Sequence, residues 1–575
     1  MARFRLFAGG VMIAMCLGAL TAQVGAAPQA EDVAPVLRDM SPVTDEMLRR
    51  PSADDWLHWR RTSDGQGYSP LAEINRDNVQ HLQLAWSWAM DPGSQVTTPV
   101  VHDGVMFLAS PGGVIQALDA ATGDFLWEYR DRSSRRQSSV RGLSIYEDAL
   151  YLNTSDARIV AVDARTGDKV WDVQVADPET GFRYTAASLI ARGKVISGLQ
   201  NNNFLNEKNA VTAHDARTGE ELWRTPTIAL PGEPGGDSWG DVPAQFRAGA
   251  DMWITGAYDP ELDLIYWSTA QAKPFARAAR GTDGDALYSN TTLALDPDDG
   301  RIVWYRQWLP GESHDMDEVF EHVLVDYDGR QSMFRLGKIG ILWEVDRRTG
   351  EFMNATDLGY QNLVDLDPTT GRVTYRPGMI PELGRELDHC PHISGLHSWR
   401  AMAYHPETRA IYVPLQLACN KLTYTDVPKE EGGGGVGIDA TTWQIYLHPD
   451  SGGNLGEFMA IDLSGKILWR YRQRATFNST TLTTAGGLAF IGDWNRYIHA
   501  FDAKTGERLW QTRAGASVQG GIVTYAVDGY QFVAVPVGTG ATSWSNQTPA
   551  ATTPELIRPR HGNAIVVFAL PSHAR

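Results

Sequence analysis

The sequence predicts an all-β protein, an eight-bladed β-propeller with tryptophan-docking repeats. The first observation behind this prediction is an internal repeat, Ala-x-Asp-x-x-Thr-Gly followed by a tryptophan, as in the segment from Ala117 to Trp127. The second is the spacing, because adjacent copies lie 40 to 52 residues apart, the length of a four-stranded propeller blade. The third is that each end of the chain resembles only part of a repeat.

Seven copies of the repeat are visible, and their aspartates are Asp119, Asp163, Asp215, Asp296, Asp346, Asp462 and Asp502. In each copy a strand ends at the aspartate, whose carboxylate accepts backbone N–H groups of the following turn, and the glycine takes a positive φ. The next strand then carries the tryptophan, except that Asn354 replaces it in one copy. Two steps, of 81 and 116 residues, indicate either insertions or a missed unit.

The two chain ends together predict the eighth blade. Residues 82–86 resemble the tryptophan-bearing end of a repeat, and residues 563–568 form an apolar stretch that supplies another strand. Pairing of the two would close the ring. Separate β-sandwich domains are the alternative, but such domains would not repeat one turn motif seven times.

The N-terminal residues read as a secretory signal. Arg3 and Arg5 precede an apolar stretch over residues 6–20, and small residues follow up to Ala27. A membrane anchor is the alternative, but the apolar run is shorter than the ~20 residues that a span needs, and no later stretch is longer. We therefore expect residues 1–27 to be a cleaved signal peptide, residues 28–54 an N-terminal extension and residues 55–575 the propeller, with no membrane span.

Composition and short motifs exclude several classes of protein. A hydrophobic fraction of 43% excludes wholesale disorder, and a formal net charge of −18 makes nucleic acid an unexpected partner. The glycine-rich run at 432–437 follows no buried strand, so it does not predict NAD binding. The sequence has no C-x-x-C-H motif, so we expect no c-type haem on this chain. Cys390 and Cys419 remain after signal removal and predict a disulfide in an oxidising compartment.

The repeats resemble those of the quinoprotein alcohol dehydrogenases, eight-bladed propellers related to methanol and ethanol dehydrogenases that bind pyrroloquinoline quinone (PQQ) on the propeller axis. The resemblance extends over residues 55–570, and its most specific part is residues 257–266, AYDPELDLIY. The two cysteines also lie where this family has a structural disulfide. The resemblance implies a periplasmic enzyme that oxidises an alcohol to an aldehyde or ketone and passes the electrons to a separate, soluble cytochrome c.

The resemblance also implies residues that hold PQQ. Trp253 matches the indole beneath the planar quinone, which a flat aromatic ring suits. Arg141 matches an arginine that pairs with a cofactor carboxylate. Thr185 matches a hydroxyl at the cofactor rim, although an ordinary strand threonine is the alternative. Lys338 matches a basic residue at the quinone oxygen, where its charge stabilises the reduced form, and a solvated hairpin lysine is the alternative.

Other positions depart from the family. Ser398 replaces an asparagine, and Phe477 replaces a tryptophan above the site. The vicinal disulfide that covers the quinone in many relatives is absent, and Arg135 and Arg136 align there. One guanidinium could cover the ring, or both could lie in a solvated basic turn. These changes predict a reshaped pocket and a substrate other than methanol.

The resemblance further implies a base and one metal ion, either a lanthanide or Ca²⁺. Asp315 matches the catalytic base that removes the hydroxyl proton. Asp317 has the spacing of the second carboxylate of the lanthanide-using branch, and residues i and i+2 of an extended strand face the same way. An acidic surface cluster, with Glu312 and Glu318, is the alternative.

The remaining metal ligands are altered. Asn203 aligns with the family's glutamate, with Glu207 as a possible substitute, and Gln271 aligns with its asparagine. The predicted metal ligands are therefore Asn203, Gln271, Asp315 and Asp317. The loss of one negative charge puts the identity and the presence of the ion in question.

A non-catalytic propeller scaffold of the outer-membrane assembly type is the alternative function. Such a scaffold would not need Asp315, Lys338 and Trp253 together. Segments 352–400 and 420–458 are expected to cover the mouth of the site, where long loops carry specificity. The particular alcohol remains open among bulky secondary alcohols, diols, polyols and polymer ends, as does the choice between monomer and homodimer.

Overall fold

Eight sheets of four or more strands follow one another along the chain in the computed structural model, which describes residues 34–131, 140–539 and 544–571. Seven of these sheets have four strands, and the other has a fifth, Tyr68–Ser69, added parallel to Leu482–Thr484. Within the described residues this is the predicted eight-bladed, all-β propeller, and the blades are numbered here in chain order.

The first four blades are continuous in sequence apart from one insertion. Blade 1 contains Val100–His102, Val105–Ser110, Val114–Asp119 and Phe125–Arg130. Blade 2 contains Ser144–Tyr146, Ala149–Asn153, Arg158–Asp163 and Lys169–Gln174. Blade 3 contains Leu189–Ala191, Lys194–Leu199, Ala210–Asp215 and Glu221–Pro226. Blade 4 contains Ala257–Asp259, Leu264–Ser268, Thr291–Leu295 and Ile302–Gln307.

The other four blades complete the ring. Blade 5 contains Val323–Tyr327, Arg330–Leu336, Ile341–Asp346 and Phe352–Asp357. Blade 6 contains Ala403–His405, Ala410–Gln416, Gly456–Asp462 and Ile467–Gln473. Blade 7 contains Leu482–Thr484, Leu488–Gly492, Tyr497–Asp502 and Arg508–Arg513. Blade 8 contains Val523–Val527, Tyr530–Val537, Ala564–Ala569 and the N-terminal strand Gln83–Ala89.

The repeated motif joins each blade to the next. In blade 2, the Asp163 carboxylate accepts the backbone N–H groups of Arg165 and Thr166 (both 2.9 Å), and Gly167 has φ +78°. Trp127 of blade 1 donates its indole N–H to the carbonyl of Ala164 at 3.1 Å. A Cβ atom on Gly167 would lie 2.7 Å from the same indole. The glycine therefore provides both the turn and the surface on which the tryptophan of the preceding blade stacks.

The predicted ring closure is confirmed. Strand Gln83–Ala89 pairs antiparallel with Ala564–Ala569, and Trp86 docks on blade 1 through an N–H bond to the carbonyl of Ala120 at 3.1 Å. Blade 8 has no copy of the motif because its third and fourth strands come from opposite ends of the chain. Seven motifs in the sequence thus correspond to eight blades.

The two long steps between motifs are insertions, so the alternative of a missed unit is wrong. The first insertion has two parts, on either side of the first two strands of blade 4. The part before them carries the 3₁₀ helices Gly236–Trp239 and Ala244–Phe246 and strand Ala248–Gly249, and the part after them carries strand Ala272–Lys273, which pairs with Ala248–Gly249, and helix Arg277–Arg280. The second insertion likewise has two parts, on either side of the first two strands of blade 6. The part before them carries the hairpin Val364–Leu366 and Val373–Tyr375 and strand Glu386–His389, and the part after them carries Ala418–Tyr424 and Ile438–Leu447, which form one sheet with Glu386–His389. The predicted disulfide is present, and Cys390 and Cys419 tie two segments of this second insertion together.

The remaining short elements lie outside the blades. Helices span Pro35–Asp39, Asp45–Arg49 and Trp544–Thr552, and 3₁₀ helices span Val79–His81, Pro178–Thr180 and Pro449–Ser451. Residues of the N-terminal extension, among them Leu37 and Val43, are buried in the same core as blades 1 and 2. Among the described helices, none has the length and hydropathy to cross a bilayer. The predicted signal peptide, Arg135 and Arg136 lie outside the described residues.

Candidate active site

The acidic residues of segment 312–318 are buried. Relative exposures are 1% for Glu312, 3% for Asp315, 4% for Asp317 and 0% for Glu318. The alternative that these side chains form an acidic surface cluster is therefore wrong. Carboxylates are almost never buried without partners, so the cations and donors around them define the site.

Lys338 joins Asp315 to Asp317. Its Nζ donates to the Asp315 carbonyl at 2.8 Å and lies 3.1 Å from Asp315 Oδ1 and 2.7 Å from Asp317 Oδ2. An ammonium group has three N–H donors, so these two residues accept all of them. Lys338 is 4% exposed, which excludes the alternative of a solvated hairpin lysine. Asp315 has φ +64°, an uncommon backbone conformation outside glycine.

Burial controls the ionisation of this group. Burial raises the pKa of Asp315 well above its usual value; the charge of Asp317 adds to the rise, and Lys338 opposes it. Burial also raises the pKa of Asp317, again against the effect of Lys338. For Lys338, burial opposes the charged form, but the two carboxylates outweigh it and raise its pKa. Asp315 is consequently a stronger base than a solvated carboxylate.

Gln271 lies against both carboxylates. Its Nε2 donates to Asp315 Oδ1 at 2.6 Å, and its backbone N–H donates to Asp317 Oδ1 at 3.1 Å. Its Oε1 is buried and has no hydrogen-bond partner in the described chain. The structure thus brings three of the four predicted metal ligands together with Lys338.

Asn203, the fourth predicted ligand, points elsewhere. Its Nδ2 donates to the carbonyl of Thr180 at 3.0 Å, as does that of Asn201. Glu207, the possible substitute, is exposed and pairs with Arg224 at 3.2 Å.

Asn202, between the two asparagines that bind the Thr180 carbonyl, faces a buried lysine that the sequence analysis missed. Lys273 Nζ donates to Asn202 Oδ1 at 2.7 Å and to Asp251 Oδ1 at 2.8 Å. Lys273 is 5% exposed, and so is Asp251. The signal was present, because Lys273 follows Gln271 by two residues and extended residues i and i+2 face the same way.

The predicted PQQ residues Arg141 and Trp253 stack on each other. Arg141 Cζ lies 5.4 Å from the centroid of the Trp253 ring, and Phe320 contacts that ring edge-on at 5.1 Å. Burial lowers the pKa of Arg141 to about 10. Its Nε is buried without a hydrogen-bond partner, and no carboxylate of the described chain pairs with the guanidinium.

Arg141 lines a pocket with further unpaired polar atoms. The other side chains of this pocket include Trp59, Trp399, Thr480 and Gln519. Within the described residues, Oγ1 of Thr480 and both amide atoms of Gln519 are buried without partners. Buried polar atoms are nearly always hydrogen-bonded, so these atoms are suited to contact a polar ligand. Arg141 offers an unpaired cation to this pocket, and Trp253, stacked on Arg141, offers an aromatic face; these are the groups that would hold a planar tricarboxylate such as PQQ.

The other three predicted cofactor residues differ in their surroundings. Thr185 is partly buried and accepts a hydrogen bond from Gln200 Nε2 at 2.8 Å. Ser398 is buried next to Trp399 of the pocket. Phe477 is fully buried and contacts the rings of Phe458, Tyr471 and His499. These contacts place Phe477 in the core of blades 6 and 7, and its position above the cofactor stays a prediction.

One segment connects the pocket with the acidic group. Trp253 lies under Arg141, and Asp251, two residues earlier, binds Lys273 beside the Gln271 strand. Ala270 donates its backbone N–H to the carbonyl of Asp251 at 2.9 Å. The candidate active site therefore has an aromatic and cationic pocket on one side and a carboxylate–lysine group on the other.

The donor set fits a metal ion poorly. Calcium takes six to eight oxygen ligands, but lysine ammonium groups already hold Asp315, Asp317 and Asp251. In the part of the chain that the structure describes, no third carboxylate, imidazole or thiolate forms a close ligand group with those of Asp315 and Asp317. The buried, unpartnered Oε1 of Gln271 is the one observation in favour of an ion.

Three comparisons relate the chain to known proteins. The family described as "Glucose/ethanol/alcohol dehydrogenase, beta-propeller domain", whose short name is PQQ, matches residues 56–357 and 436–533. The chain is 30% identical to quinohemoprotein alcohol dehydrogenase ADH IIB of Pseudomonas putida, over 91% of this chain and 78% of the relative. It is 32% identical to quinoprotein alcohol dehydrogenase PedH of Pseudomonas putida, over 83% of this chain and 84% of the relative. The solved structure of a europium-containing methanol dehydrogenase is similar at a TM-score of 0.84 and 26% identity, over 92% of this chain and 100% of that one.

Proposed function

The chain belongs to the family of PQQ-dependent β-propeller alcohol dehydrogenases, and we propose that it oxidises an alcohol to an aldehyde or ketone with Asp315 as the base. The observation that carries this proposal is the buried Asp315–Lys338 pair beside a pocket whose guanidinium has no carboxylate partner. A scaffold of the outer-membrane assembly type has no use for this arrangement, since burying charges without a ligand destabilises the fold.

Some of these residues bind the cofactor, and others take part in proton transfer. PQQ, when bound, supplies the quinone that accepts the two electrons of the alcohol. Arg141 binds a carboxylate of the cofactor, and Trp253 supports its plane, with Thr185 and Ser398 at its edge. Asp315 accepts the hydroxyl proton, and its buried surroundings strengthen it as a base. Lys338 fixes Asp315 through the carbonyl contact and places a positive charge at the site.

An ion, a lanthanide or Ca²⁺, is the other component that the sequence predicts. The family's cofactors are PQQ and a metal ion, and a europium-containing methanol dehydrogenase is among the structural neighbours. Asp315, Asp317 and Gln271 are the predicted ligands that lie together here. Because lysines already hold the carboxylates, we derive no step through an ion.

The substrate that we propose is an alcohol larger than methanol. The sheet of the second insertion, held by the Cys390–Cys419 disulfide, is the expected cover of the site and the element that selects the alcohol. A panel of primary, secondary and polyhydric alcohols tests this. A higher kcat/KM for methanol than for every larger alcohol would contradict it.

We further propose a periplasmic enzyme that transfers its electrons to a separate, soluble cytochrome c. The N-terminal signal pattern and the disulfide support the location. The negative net charge supports a basic partner. Sequencing the N-terminus of protein from the periplasmic fraction, expected to begin near Pro28, tests the location.

The test of the function is a dye-linked dehydrogenase assay on the PQQ-reconstituted protein and its Asp315→Asn variant. We expect activity in the wild type and a fall in kcat of roughly 10³-fold in the variant, within the range for loss of a general base, with PQQ still bound. Glu318→Gln is the control, because Glu318 is equally buried and lies three residues away. We expect this control to keep kcat within about tenfold of the wild-type value, because loss of a general base lowers kcat by more than that.

Two results would contradict the proposal. The first is a wild-type protein that retains no quinone absorbance after gel filtration and has no activity. The second is an Asp315→Asn variant whose kcat equals that of the wild type, which would remove Asp315 from the reaction but leave the family's activity in place.

A further inference from the structure

The proposed mechanism does not use Lys273, although it is one of the two lysines in the acidic group. It ends the two-residue strand Ala272–Lys273, which pairs with Ala248–Gly249. Its ammonium group is buried, and its two side-chain acceptors are Asp251 Oδ1 and Asn202 Oδ1, at 2.8 and 2.7 Å. Burying a lysine is unfavourable unless its charge is matched, so Asp251 is the residue that holds Lys273 in place.

The strand register brings Lys273 to the predicted metal position. Gln271 contacts both Asp315 and Asp317, and Lys273 lies two residues further along the extended segment, on the same side. Within the described residues Lys273 pairs with Asp251, whereas Lys338 pairs with Asp315 and Asp317, so the ammonium of Lys273 lies near the two predicted carboxylate ligands without an ion pair to either.

Three consecutive asparagines, Asn201 to Asn203, support the same conclusion. The family has a metal-binding glutamate here, whereas Asn201 and Asn203 turn to the Thr180 carbonyl. Asn202 is left to face the lysine, and its amide oxygen accepts from Nζ. A neutral amide matches a monovalent ammonium, but it lacks the negative charge that favours a divalent or trivalent ion.

We infer that the ammonium group of Lys273 takes the place of the family's metal ion, so that this enzyme binds PQQ and turns over without one. Lys273 supplies a fixed positive charge beside the cofactor, and Asp251 and Asn202 orient it. A divalent or trivalent ion in the same place would be repelled by the ammonium group, and the repulsion rises with the charge of the ion. The inference rests on the proposed function, because it concerns the PQQ-loaded enzyme.

The first experiment measures metal and PQQ in the wild-type holoenzyme. The protein is purified in the presence of EDTA, reconstituted with PQQ in metal-free buffer and passed through a gel-filtration column. Metal content is measured by inductively coupled plasma mass spectrometry and PQQ by absorbance. We expect about one PQQ per chain, as one axial site allows, with less than a tenth as much metal, and a dye-linked activity that neither Ca²⁺ nor La³⁺ increases.

The outcomes separate the inference from the function. PQQ retention or activity that requires Ca²⁺ or La³⁺, with the ion present in proportion to the chain, would overturn the inference but leave the proposed function intact. A protein that retains no PQQ with or without added ions would overturn both.

The second experiment removes the positive charge of Lys273. Lys273→Met keeps the length of the side chain and removes the ammonium group, and we expect it to weaken PQQ retention in metal-free buffer at least tenfold. Added Ca²⁺ should partly restore binding, because it can use the carboxylate that Lys273 released, and Lys273→Arg should retain more PQQ than Lys273→Met.

Lys208→Met is the matched control. Lys208 is also buried, but its Nζ donates to the carbonyls of Leu205 and Arg247 and not to a site carboxylate. The control should bind PQQ in metal-free buffer as the wild type does. Equal PQQ retention by Lys273→Met and the wild type would overturn the inference, and the wild-type metal content tests it even if the variant fails to fold.

Discussion

The contacts of Arg141 suit a residue that binds a ligand. A buried guanidinium normally has hydrogen-bond partners, as Arg400 has in the amide oxygens of Asn478 and Gln416, at 3.1 and 2.6 Å. Arg141 has instead the face of Trp253 and a buried Nε without a partner in the described chain. Burial lowers its pKa to about 10, which means that its charge destabilises the unliganded fold at neutral pH. Binding sites commonly trade stability for function in this way.

Arg141→Met should therefore stabilise the PQQ-free protein while weakening PQQ binding. We expect the free energy of unfolding to rise by about 1 kcal/mol, because an unpaired and partly buried charge is removed. PQQ affinity should fall by roughly 100-fold, the loss of one charge-assisted contact of about 3 kcal/mol. Urea unfolding and PQQ titration measure the two effects.

Arg400→Met is the control for this prediction. It should destabilise the protein, because it leaves the two amide oxygens unpaired. If Arg141→Met also destabilises the PQQ-free protein, then Arg141 has a structural role and the proposed assignment to the cofactor fails.

At the scale of elements, the tryptophan-docking contact is a small module that depends on few residues. The aspartate shapes the turn, the glycine leaves room for the indole, and the carbonyl after the aspartate accepts the indole N–H. Where Asn354 replaces the tryptophan, its Nδ2 still donates to the neighbouring turn, to the Ser464 carbonyl at 3.3 Å. The contact between blades thus persists without the ring.

The indole hydrogen bond can be separated from the stacking by comparing two blades. Trp127 and Trp304 both stack on a turn glycine, but the indole N–H of Trp304 has no hydrogen-bond partner among the described residues. The hydroxyl of Tyr266 donates to the Arg347 carbonyl of that turn at 2.7 Å. We expect Trp127→Phe to lower the free energy of unfolding by about 1 kcal/mol more than Trp304→Phe does, the net value of one hydrogen bond. Equal losses in urea unfolding would show that stacking alone joins the blades.

At the scale of the whole molecule, ring closure and charge are the dominant properties. Closure by strands from both ends of the chain removes the exposed sheet edges that an open array would have. The net charge of −18 gives the protein a negative field that attracts basic partners at long range. Ring closure positions the axial site, and the negative net charge favours binding of the proposed electron acceptor.

Electron transfer to a basic cytochrome c should therefore depend on salt. Between about 0.01 M and about 0.15 M salt the screening length falls from roughly 30 Å to roughly 8 Å. We expect the rate with cytochrome c to fall by at least about fivefold, because steering of charged partners is lost on screening. The rate with an uncharged dye is the control and should change by less than about twofold, since no steering is involved. Equal salt dependence with both acceptors would contradict the proposed docking.

The sequence by itself determined the fold, because the repeat acts locally. Asp163 and Gly167 act within one turn, and Trp127 contacts that turn from the preceding blade. The motif, its spacing and the two incomplete ends were therefore enough to predict eight blades. Asp315 and Lys338 were also predicted from the sequence, because they match positions of the family that the sequence resembles. Only the tertiary structure decided the charge balance around them.

That balance combines five distant segments, and no local pattern reports it. Asn202, Asp251, Lys273, Asp315 and Lys338 come together through strand register and the two parts of the first insertion. Whether Asn202 or Asn203 faces the site depends on the direction of one side chain in an extended segment, and a shift of one residue reverses it. Composition and motif fix neither that direction nor which cation a buried carboxylate meets, and these two facts decide whether the site takes a metal ion.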